Sequence, residues 1–145
     1  MILYCDTSAL VKLYVAEEGS AAVQAQASAA RVVAVSRIAW AEMMAALARR
    51  ARDQPADGPL IDQARARLRA DWPALAVLEV TQAVVELAGE YADAFALRGY
   101  DSVQLASARI LQQAASDVFC FACFDSRLQK AAGVLGMQTI DMPSP

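Results

Sequence analysis

Short apolar runs rich in β-branched and aromatic residues recur between alanine-rich stretches, and this alternation restricts the fold more than any other feature of the chain. The runs are Ile2 to Cys5, Val32 to Val35, Leu75 to Val80 and Val118 to Phe124, with Met137 to Ile140 as a short candidate fifth. None keeps the strict two-residue alternation of a strand with one wet face, so they suit parallel strands covered on both faces. The intervals read as helices. Ala9 to Ala16 carries Leu10, Leu13 and Tyr14 on one side, and Ser36 stands ready to cap a helix from Arg37 to Arg52. Gln54-Pro55-Ala56-Asp57-Gly58-Pro59 breaks the chain, and a helix with arginines at alternate positions continues to Asp71. Thr81 suits the cap of a helix to Arg98 with Gly99 as its stop, Asp101 opens another, and Asp125 opens a last one ending near Gly133. Strands alternating with helices predict an α/β fold: an open parallel sheet of four to five strands with helices on both faces.

With 145 residues and no internal repeat, the chain is expected to form one domain over 1–145. A hydrophobic share of 57% against 20% charged residues excludes an intrinsically disordered chain. The longest stretch free of charge, Gly19 to Ala30, is polar and too short to span a bilayer. The start, Met-Ile-Leu-Tyr-Cys-Asp, lacks both the basic region and the apolar stretch of a secretory signal, so a cytoplasmic protein with no membrane partner is expected. Cys5, Cys120 and Cys123 are an odd set that fits a reducing compartment. Cys120 and Cys123 are three apart on a predicted strand, so they point to opposite faces and read as core thiols, not a redox pair. A net charge of −3 argues against a strongly basic, nonspecific nucleic-acid binder. Yet Arg49, Arg50, Arg52, Arg65, Arg67 and Arg69 are six of the thirteen basic residues and crowd one segment. They are either solvated helix faces paired locally with Asp53, Asp57, Asp62 and Asp71, or a basic rim for phosphates or an acidic partner. Trp40 and Trp72 read as packing residues in preference to base-stacking ones.

The chain has no histidine, which removes imidazole acid–base chemistry and histidine zinc sites. Four carboxylates stand where apolar elements end or are interrupted. Asp6 follows the first strand in Tyr4-Cys5-Asp6-Thr7-Ser8-Ala9-Leu10, and Asp125 follows the fourth in Cys123-Phe124-Asp125-Ser126-Arg127-Leu128. Ligand sites of open α/β sheets form outside the carboxyl ends of the strands, so both are on the expected edge. Taken singly, each reads first as a helix N-cap; Thr7, Ser8 and Ser126 also read first as caps, with orienting a ligand or a water as the alternative. Glu42 is the only charge in Ile38-Ala39-Trp40-Ala41-Glu42-Met43-Met44-Ala45-Ala46-Leu47-Ala48. A buried carboxylate needs a partner or a metal; the alternatives are a surface position or a salt bridge to Arg37 or Arg109. Asp101 opens Asp101-Ser102-Val103-Gln104-Leu105-Ala106-Ser107-Ala108, where Asp and Gln three apart also form a capping pair. If the four meet, hard oxygen donors with no histidine favour Mg²⁺ or Mn²⁺ over Zn²⁺.

The stretches around Asp6, Glu42, Asp101 and Asp125, in this order and spacing, resemble the PIN-domain ribonucleases, and more closely the VapC-type toxins of bacterial toxin–antitoxin pairs. The likeness covers essentially the whole chain. It implies a PIN fold and a Mg²⁺- or Mn²⁺-dependent endoribonuclease with Asp6, Glu42, Asp101 and Asp125 around the metal, cutting tRNA, rRNA or mRNA. It also implies a homodimer and a cognate antitoxin that blocks the site. Of these four positions, the one matched by Asp125 varies most within the family. Two other folds place aspartates at parallel strand ends. A haloacid-dehalogenase-like phosphatase needs a second aspartate two residues after the first, where Ser8 stands; a receiver domain wants an early acidic pair and a late strand-closing lysine, and neither is evident. The alternative from another class is a catalytically silent PIN-like module that binds protein or nucleic acid.

Overall fold

The computed structural model describes residues 1–141. Five parallel strands form one sheet: β1 (Ile2–Cys5), β2 (Val32–Ser36), β3 (Ala76–Leu78), β4 (Phe119–Ala122) and β5 (Gln138–Thr139), in the order β3-β2-β1-β4-β5. Each expected strand is present: β1 has the expected bounds, β2 runs one residue further to Ser36, and β3, β4 and β5 are shorter than expected. The central strand β1 pairs with β2 on one side, Ile2 opposite Val32, and with β4 on the other, Ile2 opposite Phe119. The chain leaves β1 for one neighbour and later returns to the opposite side, so β1 and β4 flank the topological switch point, where α/β sheets form ligand crevices.

The seven helices of the described residues are α1 (Thr7–Leu10), α2 (Ser20–Ala29), α3 (Ala39–Asp53), α4 (Gly58–Asp71), α5 (Gln82–Phe95), α6 (Gly99–Ala114) and α7 (Ser126–Val134). Strand side chains alternate between two cores, as the two-residue period requires. Leu3, Cys5, Val35, Cys120 and Ala122 pack with Leu10, Val23, Met43, Leu47 and Leu68 from α1 to α4. Ile2, Tyr4, Phe119, Phe121 and Cys123 pack on the other face with Leu105, Leu128 and Ala131 from α6 and α7. Burial on both faces explains why β1 and β4 read as unbroken apolar runs. Cys120 and Cys123 lie in opposite cores, and all three cysteines are free and buried. Trp40 and Trp72 meet edge to face at 5.1 Å against the first core.

Several expected boundaries move for local reasons. The helix expected over Ala9 to Ala16 is one α turn running into a 3₁₀ turn, Val11–Leu13. The polar stretch from Gly19 to Ala30 is mostly the helix α2, which buries Val23 alone and so carries little amphipathic signal. Ser36 does not cap α3; that helix starts at Ala39, behind a turn in which Ile38 N donates to Ser36 Oγ at 3.3 Å. Thr81 does cap α5, accepting from Val84 N, but the helix ends at Phe95, with Ala96 left-handed at φ 53°. Gly99, expected as a stop, is instead the first residue of α6.

The arginine-rich segment is paired locally at two of its six arginines, Arg49 and Arg65, and the others that have a partner reach distant ones. Arg49 lies 3.9 Å from Asp53, Arg65 2.9 Å from Asp62, and Arg50 bonds Glu17. Arg67 and Arg69 lie over the rings of Tyr14 and Trp40. Asp71 takes the Tyr14 hydroxyl instead of an arginine. Among the described residues no helix is long and apolar enough to cross a membrane.

Candidate active site

Four helix starts present the four acidic residues. Asp6 is the N-cap of α1, directly after β1, and Asp125 is the N-cap of α7, after β4. Glu42 and Asp101 lie in the first turns of α3 and α6. The charges of Asp101 and Glu42 act on Asp6, and those of Asp125 and Glu42 act on Asp101, so the four share one electrostatic neighbourhood at the carboxyl edge of the sheet. Helix starts suit them, since a helix N-terminus favours a nearby carboxylate by about 0.3–1 kcal/mol.

Asp6 is 4% exposed. Its Oδ1 accepts from Ala9 N at 3.0 Å and from Ser8 Oγ at 2.7 Å, and Ser8 Oγ in turn accepts from Phe124 N at 3.0 Å. Both bonds to Asp6 fall on Oδ1, which leaves Oδ2 for another partner. Burial pushes the Asp6 carboxyl up to about 7; the Ser8 and Ala9 bonds oppose this, while Asp101 and Glu42 add to it. Asp101 is half-buried, and burial raises it too, with Asp125 and Glu42 contributing. Asp125 is exposed and accepts from Leu128 N at 2.9 Å. Asp6 and Asp125 therefore do cap their helices, and each does so through a single oxygen.

Glu42 follows neither structural alternative. It is half-buried, Arg37 bonds Glu79, and Arg109 turns to Gln112 and the Leu135 carbonyl. Glu42 Oε1 instead accepts from Thr7 Oγ1 and Gln104 Nε2, each at 2.9 Å. The helix around it is not buried all round, because Ala41 and Ala45 face solvent. The Asp101–Gln104 capping pair is absent. α6 begins two residues before Asp101, and Gln104 is buried, bonded to Glu42 and to the Tyr4 hydroxyl at 2.7 Å. Tyr4 and Gln104 were not read from sequence as site residues. The available signal was a lone amide inside the small apolar face Val103 to Ala108, which needs a buried partner.

Every candidate donor is a carboxylate oxygen. Burial raises the nearby thiols Cys5 and Cys123, which keeps them protonated and unsuited to bind metal. Such a set suits a hard cation. Among the described residues no group of three or more His, Cys, Asp or Glu side chains stands in metal-holding geometry, so holding an ion here would need side-chain rotation. A cleft of about 750 Å³, lined by Tyr14, Arg49, Arg50, Asp53, Leu60 and Arg67 among others, contains none of the four carboxylates.

Comparison with known proteins identifies the family. Residues 3–134 match the PIN domain family. Ribonuclease VapC49 of Mycobacterium tuberculosis is 36% identical over 135 residues, covering 93% of this chain and 92% of that protein. A toxin–antitoxin complex from Klebsiella pneumoniae contains a chain of similar fold, at a TM-score of 0.62 and 18% identity over 87% of this chain and 88% of that one. VapBC2 from Rickettsia felis, bound to a DNA fragment from its promoter, matches at a TM-score of 0.65 and 12% identity over 97% and 100% of the two chains. The family match over residues 3–134 and the sequence likeness over nearly the whole length make this chain a member of the PIN-domain family, among its VapC-type proteins.

Proposed function

We propose that this protein is a divalent-cation-dependent endoribonuclease, the toxin of a toxin–antitoxin pair. The observation that carries the reading is the shared neighbourhood of Asp6, Glu42, Asp101 and Asp125 at the switch-point edge, in a chain 36% identical to a protein named as a ribonuclease. Asp6 and Asp101 would hold Mg²⁺ or Mn²⁺ directly, with Glu42 and Asp125 as further ligands or as acceptors for a coordinated water. The bound cation would supply activation of a water and stabilisation of charge on the phosphoryl group. The chain's own residues supply the positioning. Ser8 and Ala9 N fix Asp6 through Oδ1, Thr7 and Gln104 fix Glu42 through Oε1, and the other oxygen of each carboxylate stays available. In-line attack would leave a 5′-phosphate and a 3′-hydroxyl. A cognate antitoxin, a homodimer and a cytoplasmic location belong to the same reading, which rests for them on family membership.

The test is cleavage of total tRNA and rRNA by antitoxin-free protein with Mg²⁺, with Mn²⁺ and with EDTA, beside Asp6→Asn and Asp101→Asn. Discrete metal-dependent cuts that both variants lose are expected. Wild-type cleavage by both variants would make the site assignment wrong, and absence of both cleavage and Mn²⁺ binding would favour a silent binding module.

A further inference from the structure

Behind the acidic edge lies a buried polar relay that links the two sides of the sheet. Tyr4 is fully buried on the α6 face of β1, its ring stacked on Phe121 at 5.5 Å, and its hydroxyl donates to Gln104 Oε1 at 2.7 Å. Gln104 is 2% exposed, and its Nε2 donates to Glu42 Oε1 at 2.9 Å. Three elements distant in sequence thus end on one carboxylate oxygen, with Thr7 Oγ1 as the second donor to it.

The direction of this relay is fixed by chemistry. An ionised carboxylate only accepts, so the Gln104 amide must turn its NH₂ to Glu42. Its carbonyl then faces Tyr4, and the phenol must donate. Flipping the amide would set a carbonyl against Glu42 Oε1, two acceptors facing each other with no proton between them. Unmade bonds of this kind, in a buried site, cost about 1–3 kcal/mol each.

We propose that Gln104, clamped by Tyr4, is a positioning residue that holds the Glu42 carboxylate in one orientation, with Oε1 engaged by protein donors and Oε2 kept for the cation. This rests on the metal-dependent nuclease reading above and adds to it the residue that sets Glu42. Gln104 acts through Glu42, to which its Nε2 donates directly, and the same Nε2 reaches Thr7 Oγ1, the other donor to Glu42, at 3.5 Å. Removal of a side chain that orients a metal ligand typically costs about 10–100-fold in metal affinity or activity. A glutamine that merely filled the core would leave metal affinity alone and lower only stability.

The experiment compares wild type with Gln104→Met, Tyr4→Phe and Glu42→Gln, and with the double variant Glu42→Gln/Gln104→Met. Mn²⁺ affinity is read by titration calorimetry, melting temperature by scanning calorimetry, and kcat and KM on a cleaved RNA. Gln104→Met should weaken Mn²⁺ binding by about tenfold. Tyr4→Phe, which keeps the stacked ring, should act in the same direction but less. In the Glu42→Gln background the Gln104 substitution should add no further loss, because its route runs through Glu42. Should Gln104→Met fail to fold, Tyr4→Phe carries the test. Mn²⁺ affinity unchanged within twofold in a folded variant, or full additivity in the double variant, overturns the proposal while leaving the nuclease reading intact. Absence of Mn²⁺ binding by wild type overturns both.

Discussion

Replacing Asp6 with asparagine should stabilise the metal-free protein at neutral pH, although Asp6 caps a helix. The carboxyl is moved from an ordinary value of 3.8 to about 7, chiefly by burial. At acid pH below both values it is protonated in the folded and unfolded chain and contributes nothing. Between them the unfolded chain has released the proton while the folded chain retains it. The folded state then binds more protons, so rising pH favours unfolding. Above about 7 the full penalty is present, about 4 kcal/mol at about 1.4 kcal/mol per pH unit. Asparagine keeps an oxygen that can accept from Ala9 N and Ser8 Oγ, but loses the charge that strengthens those bonds, a loss of about 1 kcal/mol. The net expectation in EDTA at pH 8 is a gain of about 2–3 kcal/mol, or about 5–10 °C in melting temperature. Near pH 4 the two proteins should differ by less than about 1 kcal/mol. Saturating Mn²⁺ should stabilise wild type by about 3 kcal/mol at a hundredfold excess over its Kd, and the variant by much less. Urea unfolding from pH 4 to pH 8, with EDTA and with Mn²⁺, measures all of this. A wild-type stability that stays flat across that range, or an asparagine variant less stable at pH 8, would refute the reasoning.

Other expectations follow from local geometry. Ala96 ends α5 at φ 53°, so Ala96→Gly should raise stability by about 0.5–1 kcal/mol in chemical denaturation. Gly19 sits at φ 89° with its missing Cβ 2.8 Å from the Phe124 ring, so Gly19→Ala should lower stability by about 2 kcal/mol in the same assay. The three thiols are buried and their acidity is suppressed, so native protein at pH 8 should resist a thiol reagent while the unfolded chain titrates three groups. Fast labelling of the native form would show that β1 or β4 opens readily.

The fold and the acidic positions were legible for different reasons. β1 and β4 were evident because strands buried on both faces must be apolar throughout. Asp6 and Asp125 were evident because a charge directly after such a run interrupts it. α2 was not evident, since a helix that buries only Val23 leaves almost no periodic signal. The start of α6 was misplaced because an aspartate in a first turn and an N-cap aspartate look alike in sequence. The breakpoint between α5 and α6 was hidden because Ala96 takes a backbone conformation usually given to glycine.

By itself the sequence determined the architecture, the four acidic positions and the family, because these depend on residue type, local period and order along the chain. Only the tertiary structure decided what each carboxylate does. Asp6 and Asp125 both cap their helices, and Glu42 is held by hydrogen bonds instead of a salt bridge. Gln104 belongs to Glu42, 62 residues away, and Tyr4 belongs to Gln104, 100 residues away. Such pairings form because a buried polar group must find a partner wherever packing brings one, and that choice is made across the sheet, beyond the reach of any local pattern.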